Sequence, residues 1–142
     1  MKPCLAIAML LTLAPLHAIA ACGSTGAHSS PAEVVQAQVD AYNAHDVEAL
    51  AACYADDASL VYLAGERPPI RGRDAIRMAF GFLPRQPKAF HVEVVRRSAA
   101  GPVVVDLERL HGLAPDKHLP DAFAIYEVRA GLIAKAWFPP AK

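Results

Sequence analysis

The chain of 142 residues suits one domain and leaves little room for a second. Fourteen basic residues balance fourteen acidic ones, so no charge excess draws it to nucleic acid, and a nucleic-acid partner is not expected. A hydrophobic content of 54% excludes an intrinsically disordered chain, and three cysteines are too few for a disulfide-dense miniprotein.

Residues 1–21 carry one charge, Lys2, and an apolar run from Leu5 to Leu16 interrupted by Thr12 and Pro15. A membrane span needs about 20 apolar residues, so this segment reads as an export signal. Ile19-Ala20-Ala21-Cys22 resembles a bacterial lipobox, in which the cysteine thiol is acylated and the cysteine becomes the new N-terminus. On that reading residues 1–21 are a lipoprotein-type signal peptide, and Cys22 is the lipidation site that anchors the chain to the membrane of a bacterial envelope. The alternative is ordinary cleavage after Ala20, with Ala18 and Ala20 as the small pair, giving an exported domain without a lipid. Residues 22–30, rich in Gly and Ser, form a flexible tether ahead of a domain over 31–142. A Cys22–Cys53 bridge is chemically available in an oxidising compartment if the tether folds back.

The domain opens on Ser30-Pro31-Ala32-Glu33, a helix start with a cap, a proline at the first helical position and a capping-box glutamate. Val35, Val39 and Tyr42 recur at helical spacing, and Asn43-Ala44-His45-Asp46 breaks that helix. Asp46 caps a second helix over Val47–Cys53, which Ala55-Asp56-Asp57 ends. Ser59–Leu63 is a strand, Gly65–Pro69 a loop, and a third helix runs from Gly72 until Pro84. The period then changes to two. Phe90–Arg97 and Val103–His111 read as a hairpin joined by Ser98-Ala99-Ala100-Gly101, and Ala122–Arg129 and Leu132–Phe138 as another around Ala130-Gly131. Helices followed by antiparallel strands predict an α+β fold.

A four-residue hairpin loop puts Val92 opposite Leu107 and Val94 opposite Val105. Phe90, Val92, Val94, Val105, Leu107 and Arg109 then share the apolar inner face. His91, Glu93, Asp106 and Glu108 share the outer one, where they read as a solvated or dimer-facing cluster rather than a metal or acid–base site. Arg109, alone among apolar neighbours, needs an anionic or hydrogen-bonding partner; it either meets a ligand or pairs internally. Trp137 falls on the outer face.

Ala41-Tyr42-Asn43-Ala44-His45-Asp46, Cys53-Tyr54-Ala55-Asp56-Asp57-Ala58, Ile70-Arg71-Gly72-Arg73-Asp74-Ala75-Ile76 and the ending Ile125-Tyr126-Glu127-Val128-Arg129 with Gly131–Phe138 resemble the nuclear-transport-factor-2-like superfamily. The nearest branches are the SnoaL-like proteins and the ketosteroid isomerases, and the likeness covers roughly residues 31–139. It implies a cone-shaped cystatin/NTF2-like fold: three helices on a strongly curved mixed sheet, often enclosing an apolar pocket and often dimeric through the outer sheet face. The general base of the ketosteroid isomerases falls at Tyr62, their oxyanion tyrosine at about Gln38 and their protonated aspartic acid at about Ala124. A neutral phenol with a reference pKa of about 10 is a poor base at neutral pH, so steroid isomerisation is not expected.

The candidate ligand-pocket residues are therefore Gln38, Tyr54, Tyr62, Arg109 and Tyr126, with His45 or an unassigned acid as the base of any reaction. Asp116, His118 and Asp121 read as a solvated loop, and Asp56-Asp57 as a structural pair. No Walker loop, dinucleotide fingerprint, HExxH or CxxC pair occurs, so no cofactor and no metal are expected. Two functions stand side by side. One is an exported SnoaL-like domain that binds a small hydrophobic ligand; the other is a cofactor-free isomerase, cyclase or hydratase acting on a small carbonyl or polyketide-like compound.

Overall fold

A computed structural model describes Cys22, residues 30–65 and residues 67–140. Residues 1–21, expected to be a signal segment, and residues 23–29 of the expected tether lie outside the described residues.

Helix α1 (Pro31–Asn43) starts on the expected capping box: the Ser30 amide donates to Glu33 Oε2 at 2.7 Å, and the Glu33 amide donates to Ser30 Oγ at 3.3 Å. Its buried face carries Val34, Val35, Ala37, Gln38, Val39 and Ala41. His45 takes a left-handed φ of 56° to turn the chain, and Asp46 caps α2 (Val47–Ala52) by accepting from the Ala49 amide at 2.9 Å. Strand β1 (Tyr54–Tyr62) follows at once, so Asp56 and Asp57 lie in a strand rather than at a helix end. Asp56 pairs there with Arg73 at 2.8 Å. A short strand β2 (Ile70–Arg71), missed in the sequence, leads into α3 (Arg73–Ala79). That helix stops well before Pro84, at Phe80-Gly81, because the chain turns into a short 3-10 segment, Leu83–Arg85.

The remaining strands are β3 (His91–Ala100), β4 (Val103–His111), β5 (Ala122–Arg129) and β6 (Leu132–Phe138). The sheet runs β2-β1-β6-β5-β4-β3, antiparallel except for the parallel pair β1–β6. Ala130 and Gly131, both at positive φ (49° and 74°), close the β5–β6 hairpin as expected. The helices cover one sheet face, and Val35, Leu50, Tyr54, Leu60, Ile76, Leu83 and Ile133 are fully buried between the layers.

The β3–β4 hairpin corrects the expected register. Its loop has two residues, Gly101-Pro102, with Gly101 at φ 54°, so Ala100 pairs with Val103 and Arg97 with Asp106. A bulge at Val95 then brings Val94 opposite Glu108 and Glu93 opposite Arg109. The faces of β4 are reversed relative to expectation. Val104, Asp106, Glu108 and Leu110 point inward, while Val105, Leu107, Arg109 and His111 point outward. Two facts drive the inversion. Val105 and Leu107 meet Ile125 and Phe123 across β4–β5, making an apolar stretch on the outer face. Asp106 finds a cation on the inner one: Arg97 grips both its oxygens at 2.7 Å and reaches Gln36 Oε1 at 2.8 Å and the Ala32 carbonyl at 3.3 Å. Alternation groups residues by face, but it does not say which group faces the core.

Candidate functional site

Between the helices and the inner sheet face lies a cavity of about 290 Å3, near the lower end of small-molecule sites. Gln38 and Tyr42, four residues apart on one face of α1, form one wall. Tyr62 ends β1 against Phe138 of β6, with ring centroids 5.6 Å apart. Glu108 comes from β4 and Tyr126 from β5, and Phe80, Val92 and Leu110 complete an apolar lining.

Glu108 is the ionisable acid of this wall. The Tyr126 hydroxyl donates to its Oε1 at 3.2 Å. Burial is the main influence on its carboxyl, and the nearby Asp106 adds to it, raising the pKa from 4.5 to about 7; the Tyr126 hydrogen bond and Arg97 pull the other way. The carboxyl is thus poised to hold or release a proton near neutrality. Burial, assisted by the Glu108 charge, pushes the Tyr42 phenol up to about 12. Tyr126 is raised well above its ordinary value for the same reasons. Both remain protonated donors across the physiological range. The Oε1 of Gln38, itself buried, has no hydrogen-bond partner among the described residues.

Of the residues singled out in the sequence, Gln38, Tyr62 and Tyr126 come together on this cavity. Tyr54 does not line it. Its ring is fully buried in the core and its hydroxyl has no hydrogen-bond partner among the described residues. Arg109 is corrected outright: it lies on the outer face, half-exposed, and donates from Nε and Nη2 to the two carboxylate oxygens of Asp121, each at 2.8 Å. The expected outer cluster is also split. Glu93 accepts from His111 at 2.6 Å, and His91 stacks on His111 at 4.7 Å, while Asp106 and Glu108 face inward. His45 is held elsewhere, its Nε2 donating to the Phe90 carbonyl at 2.8 Å, since a carbonyl can only accept. Glu108 and Tyr42 are the polar cavity residues absent from the expected pocket. The Tyr42 signal was its i+4 spacing from Gln38; Glu108 was expected in the outer-face cluster with His91, Glu93 and Asp106, because polar residues on a strand are read as outward.

Three helices on a six-stranded mixed sheet, with an acid-bearing cavity between the layers, define an α+β cone of the cystatin/NTF2-like class. The chain belongs to the SnoaL-like domain family, whose model matches residues 35–136. Among solved structures it is similar to a cystatin-fold protein from Novosphingobium aromaticivorans, at 25% identity and a TM-score of 0.66 over 78% of this chain and 97% of that one. It is also similar to a candidate ketosteroid isomerase from Kribbella flavida, at 23% identity and a TM-score of 0.62 over 79% of each chain. A candidate polyketide cyclase from Sinorhizobium meliloti matches at 19% identity and a TM-score of 0.63, over 75% of this chain and 93% of that one. No curated protein matches the chain.

Proposed function

We propose that the chain is a cofactor-free acid–base catalyst for a small, largely apolar carbonyl compound, with Glu108 moving the proton. The observation that carries this reading is the carboxyl of Glu108, set in an apolar cavity wall with its pKa raised to about 7 and held by Tyr126. A general base is most effective when its pKa lies near the working pH. In its ionised form Glu108 takes a proton from the carbon beside the carbonyl, and the C–H electron pair moves into the carbonyl to give an enolate. The Tyr42 and Tyr62 hydroxyls and the Gln38 amide line the same cavity and supply donors for that oxygen. The protonated Glu108 then returns the proton to carbon.

Two proteins of this fold bear names from carbonyl chemistry, the candidate ketosteroid isomerase and the candidate polyketide cyclase. Those names are theirs, and they guide the choice of compounds to try. Steroid isomerisation itself remains unexpected, since by the family resemblance the isomerase base falls at Tyr62 and its two oxyanion donors at about Gln38 and Ala124. Those replacements favour a second reading, a domain that binds a small hydrophobic ligand without turning it over. The apolar outer stretch of Val105, Leu107, Phe123 and Ile125 supports pairing of two copies through that face.

The test is deuterium uptake beside the carbonyl of small cyclic ketones in heavy water, followed by mass spectrometry. The wild type is expected to accelerate exchange with a midpoint near pH 7, and Glu108→Gln to lose at least about 100-fold of that rate. Exchange undiminished in Glu108→Gln sinks the role of Glu108. Ketones that bind without exchanging favour the binding reading.

A further inference from the structure

Cys22 and Cys53 are joined in a disulfide, with Cα atoms 4.7 Å apart. Cys53 closes α2 as its C-cap and is 1% exposed, and its carbonyl accepts from the Ile133 amide of β6 at 2.8 Å. Cys22 packs half-buried against the core, its sulfur 3.6 Å from the Val34 carbonyl oxygen of α1. The bridge therefore pins the chain just after its apolar leader to the α2–β1 junction, in a loop that contains both α1 and α2.

The lipobox-like Ile19-Ala20-Ala21-Cys22 assigns the same sulfur a different fate, and the two exclude each other. A sulfur bonded to Cys53 has no thiol left to accept a lipid, and a sulfur carrying a lipid cannot enter a disulfide. We propose that Cys53 captures Cys22, that the mature chain is an unacylated exported domain produced by cleavage after Ala20, and that Cys53 is the residue that decides against the lipid anchor. A lipid-bearing cysteine must reach away from its domain toward the bilayer, whereas this one is packed on α1 beside its partner.

The bridge forms by exchange with an oxidised dithiol protein of the envelope. The Cys53 thiolate attacks the disulfide of the oxidant and forms a mixed disulfide. The Cys22 thiolate then attacks the Cys53 sulfur, and the oxidant leaves as its dithiol, having taken up two electrons and two protons.

The full chain, leader included, is expressed in a bacterium and its envelope fractionated. The wild type is expected in the soluble envelope fraction with the mass of the chain from Ala21 less two hydrogens. It should take up no iodoacetamide before reduction and two equivalents after it. A non-reduced digest should contain a Cys22–Cys53 cross-linked peptide, a measurement that needs no variant. Cys53→Ser should free Cys22 and convert part of the protein to a lipid-labelled, membrane-bound form. Lipid mass on wild-type Cys22, or two free thiols in the exported wild type, overturns the proposal. A Cys53→Ser chain that takes up no lipid overturns the deciding role of Cys53.

Discussion

Glu108 binds its proton more tightly in the folded chain than in the unfolded one, and that difference makes stability depend on pH. Between its ordinary value of 4.5 and the folded value of about 7 the native state holds more protons than the unfolded state. Stability contributed by this residue is therefore full below about pH 4.5, declines as pH rises toward 7, and is lost above it. The span corresponds to about 3 kcal/mol. Glu108→Gln should remove this decline, so denaturant melts of the variant should match the wild type at pH 4.5 and exceed it at pH 8. A wild-type profile that stays parallel to that of the variant would show a carboxyl in contact with bulk water. Arg109 gives the opposite expectation. It sits on the outer face in a solvent-exposed pair with Asp121, and such pairs are screened and contribute little. Arg109→Met should leave both the melting temperature and the proposed ketone exchange at the cavity unchanged.

At the scale of elements, the β3–β4 hairpin is held to α1 at two places, by the Asn43 amide, which donates to the Val92 carbonyl at 2.9 Å and accepts from the Val92 amide at 2.8 Å, and by one guanidinium. Arg97 spans the fully buried Asp106 on β4 and the Ala32 carbonyl and Gln36 side chain on α1. Its pKa is raised chiefly by the hydrogen bonds to Asp106, as expected of a cation engaged by a buried anion. Arg97→Met leaves that carboxylate buried without a partner and should cost about 3–5 kcal/mol by chemical denaturation. Double replacement of Arg97 and Asp106 by apolar residues should recover most of the loss. The end of β4 is constrained sterically instead. Gly112 has φ +74°, and a Cβ there would lie 2.3 Å from the Ala89 backbone. Gly112→Ala should lower stability by more than the about 1–3 kcal/mol typical of backbone strain alone, since the neighbour is main chain and cannot swing aside. Turn chemistry also bears on the hairpin register. Gly-Pro in a two-residue loop and a bulge at Val95 are both local events, yet choosing them over a four-residue loop depends on where Asp106 finds Arg97.

Across the whole molecule, the disulfide ties the start of the domain to the junction between its helices and its sheet. A cross-link spanning 31 residues removes enough unfolded-state entropy to contribute about 3–4 kcal/mol. Thermal unfolding with and without a thiol reductant should report that difference, and because the closed loop contains α1, reduction should also slow the proposed ketone exchange by loosening the Gln38–Tyr42 wall. An unchanged melt would mean that the unfolded chain is already restrained.

The residues alone determined the capping of α1 by Ser30 and Glu33, the start of α2 at Asp46 and the closing hairpin turn at Ala130-Gly131, because each is set by contacts within a few residues. They also carried the resemblance to the superfamily and brought Gln38, Tyr62 and Tyr126 into consideration. Tertiary structure decided which face of β4 meets the cavity, and with it the exchange of Arg109 for Glu108 as the ionisable group that matters. A strand with valine and leucine on one side and acids on the other is ambiguous when its sheet has apolar surfaces on both faces. Arg97, the cation that lets Asp106 stay buried, stands nine residues away across the hairpin, but the α1 groups that it also grips, and the helix and strand residues that bury Glu108 and raise its pKa, come from elements far away in sequence.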